Sequence, residues 1–295
     1  MRENGPVTPA TDPQPVAAVP RLIATDLDGT LLRDDKSVSE RTVAALAAAE
    51  KAGIEVFFVT GRPARWMHVV SEHVHRHGLA ICANGAAVVD LRAGGELLTV
   101  HPLERATGLA VIAALREAAP GVSFGVETTA GFHHEAGYPR IQAHDPGMIV
   151  AVAEKLLGDT DAPYGQAPVI KLLAHHGEMA PDDFLALARA AAGELATFTR
   201  SSPSALLEIS APGVSKASTL ALCCAERGIS AAEVVAFGDM PNDVEMLTWA
   251  GSSYAMGNAH PDVLAAASGR TVANNEDGVA VVIERILRDL PRPGV

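Results

Sequence analysis

The sequence predicts an α/β fold that is built on a parallel sheet, with a second α/β unit inserted into it. From Pro20 onward, apolar strand-like runs alternate with Ala-rich helical stretches, which is the pattern of a parallel α/β domain. Between residues 88 and 207 the pattern changes to short strand-like and helical pieces separated by many prolines and glycines. The chain has 295 residues, of which 48% are hydrophobic, so it can form one large or two ordinary domains with a buried core.

Four apolar runs are the predicted strands of the parallel sheet, and they cover residues 21–26, 54–59, 79–83 and 234–238. Helices are predicted over residues 39–52 and 215–227. The first of them begins at an N-cap, either Ser37 or Ser39, and the two helices stop at Gly53 and Gly228.

The inserted region has predicted strands at 121–127, 168–174, 195–199 and 205–210 and predicted helices at 104–118 and 181–192. We therefore expect three parts in the chain: a tail of residues 1–19, a core domain of residues 20–87 and 208–295, and an inserted domain of residues 88–207. The first twenty residues hold five prolines and no apolar centre, so we expect a disordered tail and not a signal peptide.

Composition excludes several classes of partner. The net charge is −12 and no Lys/Arg-rich run occurs, which argues against a nucleic acid as partner. No apolar stretch reaches the about 18 residues of a membrane span, so we expect no membrane partner and a cytoplasmic location. Cys82, Cys223 and Cys224 lack the spacing of a metal site or a disulfide framework and are most simply core residues.

The most informative motif is Asp-Leu-Asp-Gly-Thr at residues 26–30, directly after the first predicted strand. In open α/β folds the ligand crevice lies beyond the carboxyl ends of the strands, so Asp26 and Asp28 are expected to point into a site. Two unpaired carboxylates at such a place favour a bound cation. The alternative is an ordinary Asp-Gly turn.

Three further motifs stand at the ends of predicted strands or at the start of a helix. Thr60-Gly61-Arg62 offers a hydroxyl and backbone N–H groups to an anion, although it also fits an ordinary turn. Lys216 opens a helix against the helix dipole, unless it is a solvated surface residue. The segment 238–243, Gly-Asp-Met-Pro-Asn-Asp, adds Asp239, Asn242 and Asp243 at the same edge, unless it is a simple proline turn.

The order of these four motifs resembles that of the haloacid dehalogenase superfamily of aspartate-nucleophile phosphatases. Residues 82–86, 255–259 and 274–280 are similar to its Cof-type branch, subfamily IIB. Members of that branch have a Rossmann-like core and a large C2-type α/β cap inserted between the second and third motifs. The resemblance covers about residues 20–87 and 208–290, whereas the inserted region matches only in size and in its alternation of strands and helices.

The resemblance implies a role for each acid. Asp26 is the expected nucleophile, which forms an aspartyl-phosphate with the substrate. Asp28 is the expected general acid and base, because two residues along an extended strand place it on the same side. Mg²⁺ is the expected cofactor, held by the carboxylates of Asp26 and Asp239 and the backbone carbonyl of Asp28. Asp243 is either a ligand through water or a partner for Lys216.

The other motif residues are expected to bind the substrate. Thr60 and the N–H of Gly61 hydrogen-bond the phosphoryl oxygens, and Lys216 offsets the negative charge there. Asn242 lies near the phosphate in the family pattern. Two residues at strand ends, Asn84 and Arg62, contact the phosphate or leaving group or serve as structural caps. Lys171, in an inserted strand, resembles a position that faces the active site.

Histidines occur at residues 73, 75 and 77, at 133 and 134, and at 175 and 176. Only His73 and His77 share a helical face, and the metal of the family prefers oxygen ligands, so no zinc site is expected. The pairs at 133–134 and 175–176 are predicted to be solvated loop residues, unless they reach a substrate.

The leading hypothesis is a Mg²⁺-dependent phosphatase, monomeric or homodimeric, that acts on a small phosphorylated metabolite such as a sugar phosphate or a phosphorylated cofactor. One alternative is a phosphosugar mutase of the phosphomannomutase type, which needs a cationic site for a second phosphate among Arg105, Arg116, Arg140, Arg189 and Arg200. Another is a metabolite-binding protein without catalysis, against which the intact Asp28 argues.

Overall fold

The computed structural model describes residues 19–71, 78–139, 147–202 and 204–290. In these residues the strands, numbered in chain order, form a sheet of eight strands and a sheet of five. The larger sheet contains β1 (Leu22–Thr25), β2 (Glu55–Val59), β3 (Leu79–Cys82), β4 (Ala87–Asp90), β5 (Glu96–Val100), β11 (Val234–Gly238), β12 (Ser252–Ala255) and β13 (Gly269–Arg270). The smaller sheet contains β6 (Ser123–Thr128), β7 (Gly131–His134), β8 (Val169–His175), β9 (Thr197–Thr199) and β10 (Leu206–Ser210).

The larger sheet has the order β13-β12-β11-β1-β2-β3-β4-β5, and β1 lies between β11 and β2, parallel to both. Every residue of β1 is buried, as its continuous apolar run predicted. Helices cover both faces of this sheet. They are α1 (Glu40–Lys51), α2 (His68–Ser71), α6 (Lys216–Glu226), α7 (Val244–Trp249), α8 (Pro261–Ala266) and α9 (Gly278–Asp289). The predicted α/β class with a parallel sheet is confirmed.

Local sequence signals set the ends of the two helices that precede or carry site residues. Ser39 is the N-cap of α1, and its side chain accepts a hydrogen bond from the backbone N–H of Thr42. After α1 the chain turns at Gly53, which has φ +85°. Ser215 caps α6 in a capping box with Ser218, so the first residue of that helix is Lys216.

The smaller sheet has the order β7-β6-β8-β10-β9, and its pairs are antiparallel. One face packs on helices through a core that includes Phe124, Leu172 and Phe184. These helices are α3 (Arg105–Ala118), α4 (Ala153–Gly158) and α5 (Pro181–Ala192). Because side chains alternate along a strand, Lys171 and Leu173 lie on the opposite face, which is turned toward the larger sheet.

The strands β4 and β5 belong to the larger sheet, as an antiparallel extension of β3. The predicted start of the inserted domain, residue 88, lies inside strand β4. The pattern of β4 and β5 does not reveal which sheet they join, because antiparallel hairpins occur in both. We propose that the inserted unit spans residues 101–210 and that the rest of the described chain forms the core unit; these two names are kept below.

Some sequence predictions lie outside the described residues. These are the tail up to residue 18 and the histidines 73, 75 and 77. Among the helices of the residues that are described, none combines the length and the apolar character that crossing a membrane requires.

Candidate active site

The carboxyl end of β1 carries Asp26, whose backbone N–H donates to the carbonyl of Phe237 at 3.1 Å. Beyond it the chain turns at Gly29, with φ +76°, and the hydroxyl of Thr30 donates to Asp239 Oδ1 at 2.8 Å. A Cβ on Gly29 would lie 2.2 Å from Asp239 Oδ2. Glycine is therefore required here, both for the backbone conformation and for the close approach of the two acidic loops.

Lys216 connects two of the motifs. It is 1% exposed, and its Nζ lies 2.8 Å from Asp26 Oδ1 and 2.7 Å from Asp243 Oδ1. Burial by itself lowers the pKa of Lys216, but the charges of Asp243 and Asp26 outweigh it and hold the pKa above its ordinary value. The reading of Lys216 as a solvated surface residue is therefore wrong.

Asp26, Asp239 and Asp243 form a cluster in which one ligand oxygen from each lies within 4.8 Å of the others. Burial and the charge of Asp243 raise the pKa of Asp239 to about 7, and burial raises the pKa of Asp26 well above its ordinary value. Of these three acids, Asp26 and Asp243 contact the ammonium of Lys216, whereas Asp239 accepts from the hydroxyl of Thr30. An all-oxygen donor set with excess negative charge fits a hard divalent cation such as Mg²⁺.

Asp243 differs from the other two acids because both of its carboxylate oxygens have protein partners. Oδ1 accepts from Lys216, and Oδ2 accepts from the backbone N–H groups of Asp239 and Met240 at 3.0 and 3.1 Å. These bonds hold the loop after β11 in place. Of the two roles expected for Asp243, that of partner for Lys216 is the one with a direct contact.

Asp28 is paired with cations. Arg62 donates to both of its carboxylate oxygens, from Nε at 2.5 Å and from Nη2 at 2.6 Å, and Lys36 Nζ lies 2.9 Å from Oδ1. Partial burial opposes ionisation of Asp28, but these two cations hold its pKa below its ordinary value. In this arrangement Asp28 is an ionised hydrogen-bond acceptor, and it has no proton to donate.

Thr60 and Asn84 lie side by side at the ends of β2 and β3. Thr60 Oγ1 accepts from the backbone N–H of Arg62 at 3.1 Å, and its carbonyl accepts from the N–H of Asn84 at 3.0 Å. Asn84 is 2% exposed and has φ 56°; its Oδ1 accepts from Asn242 Nδ2 at 3.1 Å. Asn84 therefore links the loop of the second motif, through its backbone N–H, to the loop of the fourth motif, through its side chain.

A cavity of about 490 Å³ lies between the core unit and the inserted unit. Asp26, Asp28, Thr60, Arg62 and Asn242 line it from the core unit. The opposite wall is the face of the smaller sheet that is turned away from its own helices. This geometry brings the expected nucleophile and the expected phosphate ligands to one cavity, and Lys216 is buried beside Asp26.

The family model of the haloacid dehalogenase-like hydrolases matches residues 23–283, which include all of these side chains. The chain belongs to the haloacid dehalogenase-like hydrolases. The phosphatase YitU of Bacillus subtilis (strain 168), which acts on 5-amino-6-(5-phospho-D-ribitylamino)uracil, is 31% identical over 271 residues, 88% of this chain and 95% of the relative. Pyridoxal phosphate phosphatase YbhA of Escherichia coli (strain K12) is 29% identical over 283 residues, 89% of this chain and 97% of the relative.

Among solved structures, that of a subclass IIB sugar phosphatase of the same superfamily matches with a TM-score of 0.74 and 23% identity, over 90% of this chain and 98% of that one. The family model and the two curated relatives confirm the family resemblance that the motifs indicated. At this identity the structural match concerns the fold alone.

Sequence reasoning missed a buried ion pair of this hydrolase that joins its two units. Lys171 Nζ lies 2.6 Å from Glu208 Oε1 and 2.7 Å from the carbonyl of Gly61. Glu208 also accepts from Asn84 Nδ2 at 3.0 Å and from the hydroxyl of Ser201 at 2.8 Å. Burial opposes ionisation of Glu208, but Lys171 and these donors hold its pKa below its ordinary value. The signal in the sequence was one acid inside the apolar run of β10.

The histidines of the inserted unit differ from the prediction of solvated loop residues. His133 and His134 are buried in β7. His134 Nδ1 lies 2.6 Å from the carbonyl of Glu135, and His133 Nδ1 accepts from the N–H of Ile149 at 3.1 Å. The prediction was wrong for this pair because two adjacent histidines in a short polar run gave no sign of a strand. His134 lines the cavity.

Proposed function

We propose that this hydrolase is a Mg²⁺-dependent phosphatase that releases phosphate from small phosphorylated metabolites through an aspartyl-phosphate at Asp26. The observation that carries the proposal is the convergence of Asp26, Lys216 and Asp239 at the cavity between the two units. The names of the two curated relatives support it, because both describe phosphatases of small phosphorylated compounds.

Asp26 supplies the nucleophile in this mechanism. Its Oδ1 is hydrogen-bonded to Lys216, so we assign the attack on phosphorus to Oδ2. The bond from Oδ2 to phosphorus forms as the bond from phosphorus to the leaving oxygen breaks. Water then attacks phosphorus, the bond to Oδ2 breaks, and the carboxylate of Asp26 is restored with inorganic phosphate as the product. The buried ammonium of Lys216 offsets the negative charge that gathers at this point.

The metal ligands in this proposal are the carboxylates of Asp26 and Asp239 and the backbone carbonyl of Asp28. Both carboxylate oxygens of Asp243 are bonded to protein donors, so this residue holds Lys216 and the loop after β11. If Asp243 contributes to the metal site, it does so through a water molecule. When bound, Mg²⁺ neutralises part of the charge of the phosphate and of the surrounding acids.

Asp28 protonates the leaving oxygen and later takes a proton from the attacking water. Its pairing with Arg62 has to loosen first, because a carboxylate held by two N–H donors is ionised and carries no proton. Release from Arg62 raises the pKa of Asp28, which can then take up from solvent the proton that it gives to the leaving oxygen. The substrate phosphate gives a reason for this change, since it competes for the same guanidinium. We therefore assign Arg62 to the phosphate in the substrate complex, together with Thr60 Oγ1 and the N–H of Gly61.

Asn242 and Asn84 complete the expected set of substrate contacts. Asn242 lines the cavity, and its Nδ2 donates to Asn84 Oδ1 at 3.1 Å. An amide nitrogen carries two N–H groups, so we assign the second one to a phosphoryl oxygen. Asn84 is engaged by Glu208 and Asn242. We therefore propose that Asn84 positions its neighbours and does not itself contact the phosphate.

The arginines of the inserted unit favour hydrolysis over the mutase alternative. A mutase needs cations at the cavity to hold a second phosphate. The described arginines of that set instead bind carbonyls and carboxylates elsewhere in the inserted unit, or His260 of the core unit. They are Arg105, Arg116, Arg189 and Arg200, whereas Arg140 lies outside the described residues.

The test is release of inorganic phosphate from a panel of phosphorylated metabolites, with Mg²⁺ and after removal of divalent ions by a chelator. We expect turnover only with the metal, and we expect Asp26→Asn to abolish it. Asp183→Asn is the matched control, because Asp183 is exposed at the start of α5, on the helical face of the inserted unit. Undiminished turnover by Asp26→Asn would refute the assignment of the nucleophile.

A further inference from the structure

The wall of the cavity includes a group of apolar side chains. Phe132, Met148, Leu173 and Leu206 line it from the inserted unit, and Trp66 lines it from the core unit. Phe132 and Leu173 also belong to a small cluster of buried apolar side chains on this face of the smaller sheet. A phosphate bound near Asp26 would therefore direct its leaving group toward hydrocarbon and aromatic surface.

Polar side chains line the same wall too, and five of them already have partners within the protein: Arg65, Glu127, Lys171, Ser201 and Glu208. Lys171 is bonded to Glu208 and to the carbonyl of Gly61, and Arg65 is bonded to both carboxylate oxygens of Glu127. A sugar would bring several hydroxyl groups into this space, and each one that loses water without gaining a partner disfavours binding. The described wall is therefore poorly suited to a polyhydroxylated leaving group.

Aromatic rings pack together at this wall. The rings of Phe132 and His134 are stacked, with centroids 5.8 Å apart and planes at 24°, and Tyr138 packs against both. Gly125, on the neighbouring strand β6, makes room for this arrangement, because a Cβ there would lie 2.6 Å from Phe132 Cζ. Planar rings gain from stacking on such a surface in addition to the area that they bury.

We propose that the substrates of this hydrolase are phosphate monoesters whose leaving group carries a planar aromatic ring, which packs against Phe132 and Leu173, and that free sugar phosphates are poor substrates. This inference rests on the proposed phosphatase function and adds the class of the leaving group. The cavity of about 490 Å³ is within the usual range for a small organic ligand.

The first experiment compares kcat/KM for five phosphate esters, with inorganic phosphate release as the readout. Benzyl phosphate and pyridoxal 5′-phosphate carry a ring, ribose 5-phosphate and glucose 6-phosphate carry a sugar, and glycerol 3-phosphate carries neither. We expect the two aromatic esters to exceed the sugar phosphates by about tenfold or more, the scale of a stacked aromatic contact. Sugar phosphates that equal or exceed the aromatic esters would overturn this inference and leave the phosphatase function standing. Turnover of none of the five with Mg²⁺ would overturn both.

The second experiment changes the wall. Phe132→Leu keeps an apolar side chain but removes the ring, and Leu206→Gln places an amide at a half-buried position of the wall. We expect either variant to lower the ratio of kcat/KM for benzyl phosphate to that for ribose 5-phosphate by about tenfold. Leu222→Ala, at an exposed position of α6, is the control and keeps the ratio. An unchanged ratio in both folded wall variants would overturn the inference.

Discussion

Replacement of Lys216 by methionine removes a buried charge and keeps a side chain of similar length. The ammonium is 1% exposed and lies within 2.8 Å of one oxygen each of Asp26 and Asp243. Without it, no buried cation of the described residues contacts Asp26 or Asp243 in the metal-free protein. Loss of one partner from a buried ion pair typically costs about 3–5 kcal/mol, so we expect the free energy of unfolding of Lys216→Met to fall by about that amount.

Asp243→Asn supplies the second side of a double-mutant cycle. Asparagine keeps an oxygen for the backbone N–H groups of Asp239 and Met240 but lacks the charge that Lys216 balances. Because the two side chains touch, we expect Lys216→Met and Asp243→Asn together to cost less than the sum of the single changes, by about 1–3 kcal/mol. Urea unfolding in a chelator, followed by circular dichroism, measures the four free energies. Additive losses would refute the view that Lys216 is held chiefly by these acids.

Three further predictions concern the loops and the unit interface. Gly29→Ala should raise the Mg²⁺ concentration for half-maximal activity by about tenfold or more, because the added Cβ would collide with Asp239. The control is Gly53→Ala, which is also at positive φ but has nothing within 4 Å of the added Cβ, and it should leave this concentration unchanged. Equal effects of the two changes would contradict the view that Gly29 lets the loop approach Asp239. Asp28→Asn should lower kcat by about 10²–10⁴ with little change in KM, measured by phosphate release, and near-normal kcat would exclude proton transfer by this residue. Because the pKa of Glu208 is held below its ordinary value of 4.5 by Lys171, the ion pair stabilises the fold above about pH 4.5 and this part is lost as the pH falls through the folded-state pKa. Glu208→Gln should therefore lose less stability than the wild type on acidification, and parallel pH profiles of urea unfolding would count against the pair.

The sequence predicted those features that depend on local pattern. A continuous apolar run predicted that β1 is buried on both faces. The two acids that follow it were therefore expected at the carboxyl edge of the sheet. Ser39 and Gly53 marked the ends of α1 because capping and left-handed turns need particular side chains. The unfavourable place of Lys216 in the first turn of a helix left a solvated surface residue open, and its role was assigned from the order of the four motifs.

Contacts between distant segments were not predictable in the same way. Lys171 and Glu208 meet because β8 and β10 are neighbours in the smaller sheet, which neither segment reveals alone. The pairing of Asp28 with Arg62 joins residues that are 34 positions apart, and the motif order says nothing about it. The membership of β4 and β5 in the larger sheet likewise depends on which edge the hairpin meets.

The most direct measurement is chemical trapping of the proposed intermediate. Borohydride reduces an acyl phosphate, so addition during turnover should convert Asp26 into homoserine, which mass spectrometry detects in the tryptic peptide of residues 22–33. We predict this conversion only when substrate and Mg²⁺ are both present. An unmodified peptide under conditions of rapid turnover, or the same mass change without substrate, would contradict the account.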